Sequence, residues 1–143
     1  MTPGQISLVQ CTFAQIRPMA ETAVTLFYAR LFTLDPSLRP LFTGNMQQQG
    51  AMLLRMLALA IDGLHRPDTL LPTLQALGQR HGGYGVCASH YDTFGDALLW
   101  TVKQALGEQW TVETRAAWSA AYTLLASAMQ TASARVVLST ARL

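Results

Sequence analysis

The 143-residue chain is predicted to be all-α: one domain of six to seven helices packed around a buried pocket. Three observations carry that prediction. Apolar residues recur at steps of three and four along nearly the whole chain, and no stretch shows the period of two that marks a strand. Three polar side chains, Tyr28, Gln49 and His81, fall on apolar stripes instead of opposite them. Polar groups converging in an apolar interior mark a ligand pocket better than any one of them does.

Composition bounds the rest. Half of the residues are hydrophobic, so residues 1–143 can bury one full core and form a single domain. Charged residues make up 13% of the chain against a usual level of about 25%, which suits a monomer or a weak homodimer. The net charge of +2 comes from scattered arginines and the single Lys103, with no basic run, so neither a nucleic acid nor an anionic membrane is an expected partner. No basic residue precedes Arg17 and no long apolar core follows, so no signal peptide is expected. The longest apolar tract, Ala51 to Ile61, contains Arg55 and is too short to span a bilayer. Cytoplasmic residence is the expectation. Cys11 and Cys87 lack CxxC spacing and read as free thiols in a reducing compartment.

The elements follow in order. A first helix runs from about Gln5 to Ile16, and Pro18 breaks it from a second, about Met19 to Leu34. Val24, Phe27, Tyr28 and Leu31 share the inner face of the second helix, so the Tyr28 phenol is expected to be buried and to need a partner. Asp35 followed by Pro36 opens a short helix ending near Leu41 and Phe42. After the loop Thr43–Asn45, a helix from about Met46 to Leu64 carries the stripe Gln49, Leu53, Met56, Ala60, Leu64. Gln49 there is either a frayed first-turn residue reaching water or a buried polar group. Leu70, Leu74, Leu77 and His81 step by four, three and four along the next helix. Its end is expected at Gly82 and Gly83, which suit a left-handed turn. Ser89 with Asp92 is read as the cap of a helix reaching Leu106, with Tyr91, Phe94, Leu98 and Val102 inward and His90 exposed in its first turn. Thr111 caps a last helix, about Val112 to Val136, with the stripe Trp118, Tyr122, Leu125, Met129, Ala132, Val136. An imidazole at His81 is either a core histidine bonded to a carbonyl or an axial metal ligand.

The strings FYARLF around Tyr28, LF ending at Phe42, GQRH and YGV around His81, HYDTFGDALL from His90 and AAWSAAY around Trp118 resemble the globins. More narrowly, they resemble the haem domain of flavohaemoglobins and their single-domain bacterial relatives, in order from about Ser7 to Met129. The resemblance implies a globin fold, haem b as cofactor, and an open sixth iron position for dioxygen, nitric oxide or carbon monoxide. Carried over by residue, it gives His81 as the proximal iron ligand and Phe42 as the phenylalanine on the haem face. Tyr28 becomes the distal tyrosine, Gln49 the distal glutamine and Leu53 the apolar residue over the iron. Registering the helix on Phe42 instead would put Met52 where Gln49 stands. Leu77, Val86, Tyr91 and Leu98 would complete the proximal wall.

Two departures matter. Flavohaemoglobins pair a proximal tyrosine with a glutamate; Tyr91 is present here, but Ser133 stands where the glutamate would be. A reductase domain is expected to be a separate partner, because the chain ends at Leu143. Reversible dioxygen binding is therefore the first expected function, and nitric oxide dioxygenation with a separate reductase the alternative. With no histidine on the distal helix, no bis-histidine iron is expected. A sensor role lacks an output domain. A helical interaction domain without haem is what remains if the resemblance misleads.

Overall fold

The structure, a computed structural model, describes the backbone of residues 1–42, 44–83 and 86–141 and the side chains of 1–42, 44–80 and 86–132. Thr2 starts the first helix. Its hydroxyl accepts the Gln5 N–H at 3.1 Å while the Gln5 side chain accepts the Thr2 N–H at 3.0 Å, so two otherwise unpaired donors are satisfied reciprocally. Helix α1 then covers Pro3–Ile16 and, after a 3₁₀ turn holding Pro18, α2 covers Ala20–Leu34. The segment opened by Asp35 is a 3₁₀ helix, Pro36–Leu41, and not an α-helix: Pro40 has no N–H to offer the carbonyl four residues back. Asn45 caps α3, Met46–Asp62, by accepting the Gln47 N–H at 2.7 Å. Helices α4, Pro67–Gly83, α5, Ala88–Leu106, and α6, Val112–Ala141, complete the chain. Among the described residues there is no strand, and no helix is long and apolar enough to cross a membrane.

Helix α6 continues to Ala141, five residues past the expected Val136, and two further boundaries bear on the site. Helix α4 continues through Gly82 to Gly83. Helix α5 starts two residues earlier than Ser89 implies, with Cys87 as its cap: the Cys87 sulfur accepts the His90 N–H, and His90 Nδ1 accepts the Cys87 N–H at 3.1 Å. Thiol and imidazole thus take the parts usually played by a hydroxyl and a carboxylate.

The core is built where α1 and α6 meet and where α2 crosses α5. Val9, Phe27, Leu31 and Ile61 are almost fully enclosed. Trp118 enters with its polar edge satisfied, its indole N–H donating to Thr12 Oγ1 at 2.9 Å. Helix α4 lies on α6 so closely that a Cβ on Gly78 would collide with the Met129 carbonyl and stand 2.7 Å from the Met129 Cα. Backbone cannot swing aside as a flexible side chain can. Gly78→Ala is therefore expected to cost a net of about 1–3 kcal/mol, although alanine is intrinsically the better helix former. Chemical denaturation checks this, and a gain in stability would mean that the two helices are not in backbone contact.

Candidate functional site

Between α3 and α4 the fold leaves a cavity of about 580 Å³. That lies inside the range of about 300–1,000 Å³ usual for sites holding a small organic ligand or cofactor. Its walls come from every helix after α1: Tyr28 and Leu31 of α2, Leu38 and Leu41 of the 3₁₀ turn, Gln49 to Ala60 on α3, Leu70 to Arg80 on α4, Tyr91 and Phe94 on α5, and Tyr122 to Met129 on α6. Most of this surface is carbon. Among the described residues no three His, Cys, Asp or Glu side chains come together as a metal site.

On one side α3 crosses α2 at Gly50, where a Cβ would stand 2.6 Å from Val24 Cγ1 and 3.9 Å from the Tyr28 ring. This crossing sets the register of α3: Gln49 and Leu53, flanking it, are half-buried and line the cavity with Tyr28. Met52 also reaches the lining but is 59% exposed, a rim residue. The Tyr28 ring is held edge-on by Phe27 at 5.2 Å and Phe42 at 5.5 Å and stacked on Phe32 at 5.9 Å. Phe42 is itself anchored, since Arg39 donates to its carbonyl at 3.2 Å and lies over the Phe32 ring at 5.3 Å. Burial pushes the Tyr28 phenol up to about 12. Its hydroxyl makes no hydrogen bond to any described residue.

On the other side Leu70, Leu74 and Leu77 all line the cavity, and position 81 continues their spacing in the last turn of α4. The side chains of His81 and Ser133 lie outside the described residues. Val86 is half-buried on this wall. Tyr91 is buried beside it with a hydroxyl that has no hydrogen-bond partner, and burial raises its phenol. Tyr122 donates to the Tyr91 carbonyl at 2.5 Å, and its own phenol is raised first by burial and then by Tyr91, Asp92 and Asp96.

Seven of the sequence-derived site residues, Tyr28, Phe42, Gln49, Leu53, Leu77, Val86 and Tyr91, meet around one cavity. Leu98 does not. It lies two turns beyond Tyr91 on α5, where the helix has left the cavity, and packs with Phe13, Leu53 and Trp118 around a separate small gap. Phe94 holds the wall position that Leu98 was expected to take. Thr73 and Arg80 were missed, although they step by four and three around Leu77 and so flank the stripe. His90, expected outside, is half-buried on the lining because its capping bond to Cys87 turns the ring inward.

A profile of the globin family matches residues 25–129. The flavohemoprotein of Bordetella parapertussis is 33% identical over 129 residues, covering 88% of this chain and 32% of its own length. The chain thus spans about a third of the length of the curated relatives it matches. A bacterial globin from Campylobacter jejuni superposes with a TM-score of 0.81 at 21% identity, covering 95% of this chain and 99% of its own. An engineered carbene transferase from Rhodothermus marinus, described as a candidate nitric oxide dioxygenase, gives a TM-score of 0.87 at 24% identity and covers 99% of both chains.

The buried phenols make stability depend on pH. An exposed tyrosine ionises near 10.0, whereas Tyr28 holds its proton up to about 12. Between those values the unfolded chain binds fewer protons than the folded one, so this contribution is complete below pH 10 and is lost as pH rises toward 12. Alkaline denaturation series are expected to show that decline, with a shallower slope in Tyr28→Phe. An unchanged slope would mean that the phenol is in contact with bulk water.

Proposed function

The chain belongs to the globin family, and on that premise we propose that it holds one haem b in the cavity between α3 and α4 through His81 and binds dioxygen reversibly. The observation that carries this reading is an apolar cavity of about 580 Å³ whose lining includes the phenols of Tyr28 and Tyr91, that of Tyr91 buried without a partner. The residues present suit the group: a carbon lining accepts a flat macrocycle, and the cationic Arg80 and the imidazole of His90 suit its carboxylates. When bound, haem iron supplies an open coordination position for a diatomic gas, dioxygen, nitric oxide or carbon monoxide.

The chain's own residues do the rest. His81, one turn beyond Leu77 on the stripe that lines the cavity, is the proposed metal ligand. Phe42, fixed by Arg39 and edge-on to Tyr28, would pack against a ring system held there. Leu53, Leu77 and Val86 exclude water. Tyr28 would donate a hydrogen bond to a gas held in the cavity, with Gln49 as second donor. Dioxygen gains partial negative charge on binding, and such a bond in a dry site contributes about 1–3 kcal/mol. The second reading, nitric oxide dioxygenation, is favoured by the likeness to flavohemoproteins. Dioxygen, nitric oxide and one electron give nitrate, and a separate reductase would supply the electron.

His81→Ala is expected to abolish or greatly weaken haem retention in absorbance titrations. A wild-type Soret band and affinity in that variant would remove His81 as the ligand. Tyr28→Phe keeps the ring and deletes the donor. It should raise the dioxygen dissociation rate about tenfold, equivalent to some 1.5 kcal/mol, while carbon monoxide, less charged when bound, responds less. Stopped-flow dissociation of both gases reads this, and equal acceleration of the two would reduce Tyr28 to a packing residue. Sustained nitrate production with cell extract, against a single turnover by protein alone, separates the enzyme from the carrier.

A further inference from the structure

Cys11 and Cys87 are both exposed and free, but their surroundings differ. Cys11 has the Gln15 amide at 4.0 Å as its polar neighbour. At Cys87 a sulfur, a hydroxyl and an imidazole meet on the first turn of α5. The sulfur stands 3.3 Å from Ser89 Oγ and 3.5 and 3.6 Å from the two ring nitrogens of His90. The cap decides where the ring proton sits. His90 Nδ1 accepts the Cys87 N–H at 3.1 Å and so carries no proton, which puts the single proton of the neutral ring on Nε2. Two N–H donors, Nε2 and the backbone nitrogen of His90, therefore lie beside one sulfur. A sulfur that takes on negative charge uses both, and the positive end of the α5 dipole adds to them. His90 is also half-buried on the cavity lining, so one residue joins an exposed sulfur to the wall of the pocket.

We propose that Cys87 and His90 form a modification site for low-molecular-weight disulfides, and that modification releases the His90 ring from the cavity wall. The Cys87 thiol gives its proton to solvent, and the thiolate attacks one sulfur of the disulfide. That S–S bond breaks, a mixed disulfide forms on Cys87, and the departing thiolate takes up a proton from water. The incoming disulfide is itself the oxidant. The product sulfur is bulkier and a poorer acceptor than the thiolate, with a ring nitrogen only 3.5 Å away, so the cap that holds Nδ1 on the Cys87 N–H opens. A reducing thiol reverses the step. The state of an exposed sulfur is thereby passed to the lining of the pocket, and this holds whatever the pocket contains.

The full chain is treated with oxidised glutathione, and addition at each cysteine is followed by peptide mass spectrometry, with Cys11 as the internal control. Cys87 should react about tenfold faster than Cys11 in the folded chain and at the same rate as Cys11 in denaturant. His90→Phe keeps a ring but removes both nitrogens. It should lower the Cys87 rate several-fold and leave the Cys11 rate unchanged, which also shows that the variant is folded. Nitrogen NMR of the labelled wild type reads the second half of the proposal. Before modification His90 should show a bare Nδ1 and a protonated Nε2; afterwards it should show the averaged pair of an unrestrained ring, and reduction should restore the first pattern. Equal rates for the two cysteines in the folded chain, or a Cys87 rate indifferent to His90→Phe, would overturn the site. Ring resonances that modification leaves unchanged would overturn the release of His90.

Discussion

The structure depends on an opening that its own side chains do not fill. Helices α3 and α4 follow one another in the chain but turn to different supports, α3 to α1 and α2, α4 to α6. The space between them, about 580 Å³, has a mostly apolar wall. The packing that carries the fold is concentrated at the α4–α6, α2–α5 and α1–α6 contacts. Any occupant that fits the opening adds its binding free energy to the stability of the folded state.

Polar groups are distributed accordingly. In the solid core each is satisfied within the chain: Trp118 on Thr12, Thr12 on the Leu8 carbonyl at 2.7 Å, Thr101 on the Ala97 carbonyl at 2.8 Å. The Tyr91 phenol, by contrast, is buried on the cavity wall without a partner. Arg30 Nε is the other unpartnered buried atom among the described residues, and its guanidinium lies over the Trp100 ring at 5.1 Å. An aromatic chain links the two sides of the opening, from Phe42 through Tyr28, Phe27 and Phe94 to Tyr122. Stiff rings, not flexible aliphatics, thus set the distance between the walls.

What could be read from the sequence was whatever periodicity encodes. The helices, the inward face of Tyr28 and the stripe Leu70, Leu74 and Leu77 follow from steps of three and four, and the structure returns them. Gln49 was legible as a polar residue on an apolar stripe; its register became firm only with the Gly50–Val24 crossing, which no periodicity shows. Leu98 shows the limit of a stripe, since a helix that leaves a cavity keeps its inner face while changing what that face touches. His90 was hidden for another reason: a cap made by thiol and imidazole is chemically sound but outside the usual residue types, so both the start of α5 and the direction of the ring were missed. Thr73 and Arg80 were readable from their spacing around Leu77, but their polarity argued for solvent, and a cavity rim satisfies both.

The close seat of α4 on α6 has a kinetic side. Helix α4 carries one entire wall of the opening, and its main support is the last helix of the chain, which meets it backbone to backbone at Gly78 and Met129. The first helix also leans on the last, through Thr12 and Trp118, 106 residues apart. During synthesis, therefore, neither α1 nor α4 can settle until α6 has left the ribosome. Until that moment α4, and with it one wall of the opening, has no seat.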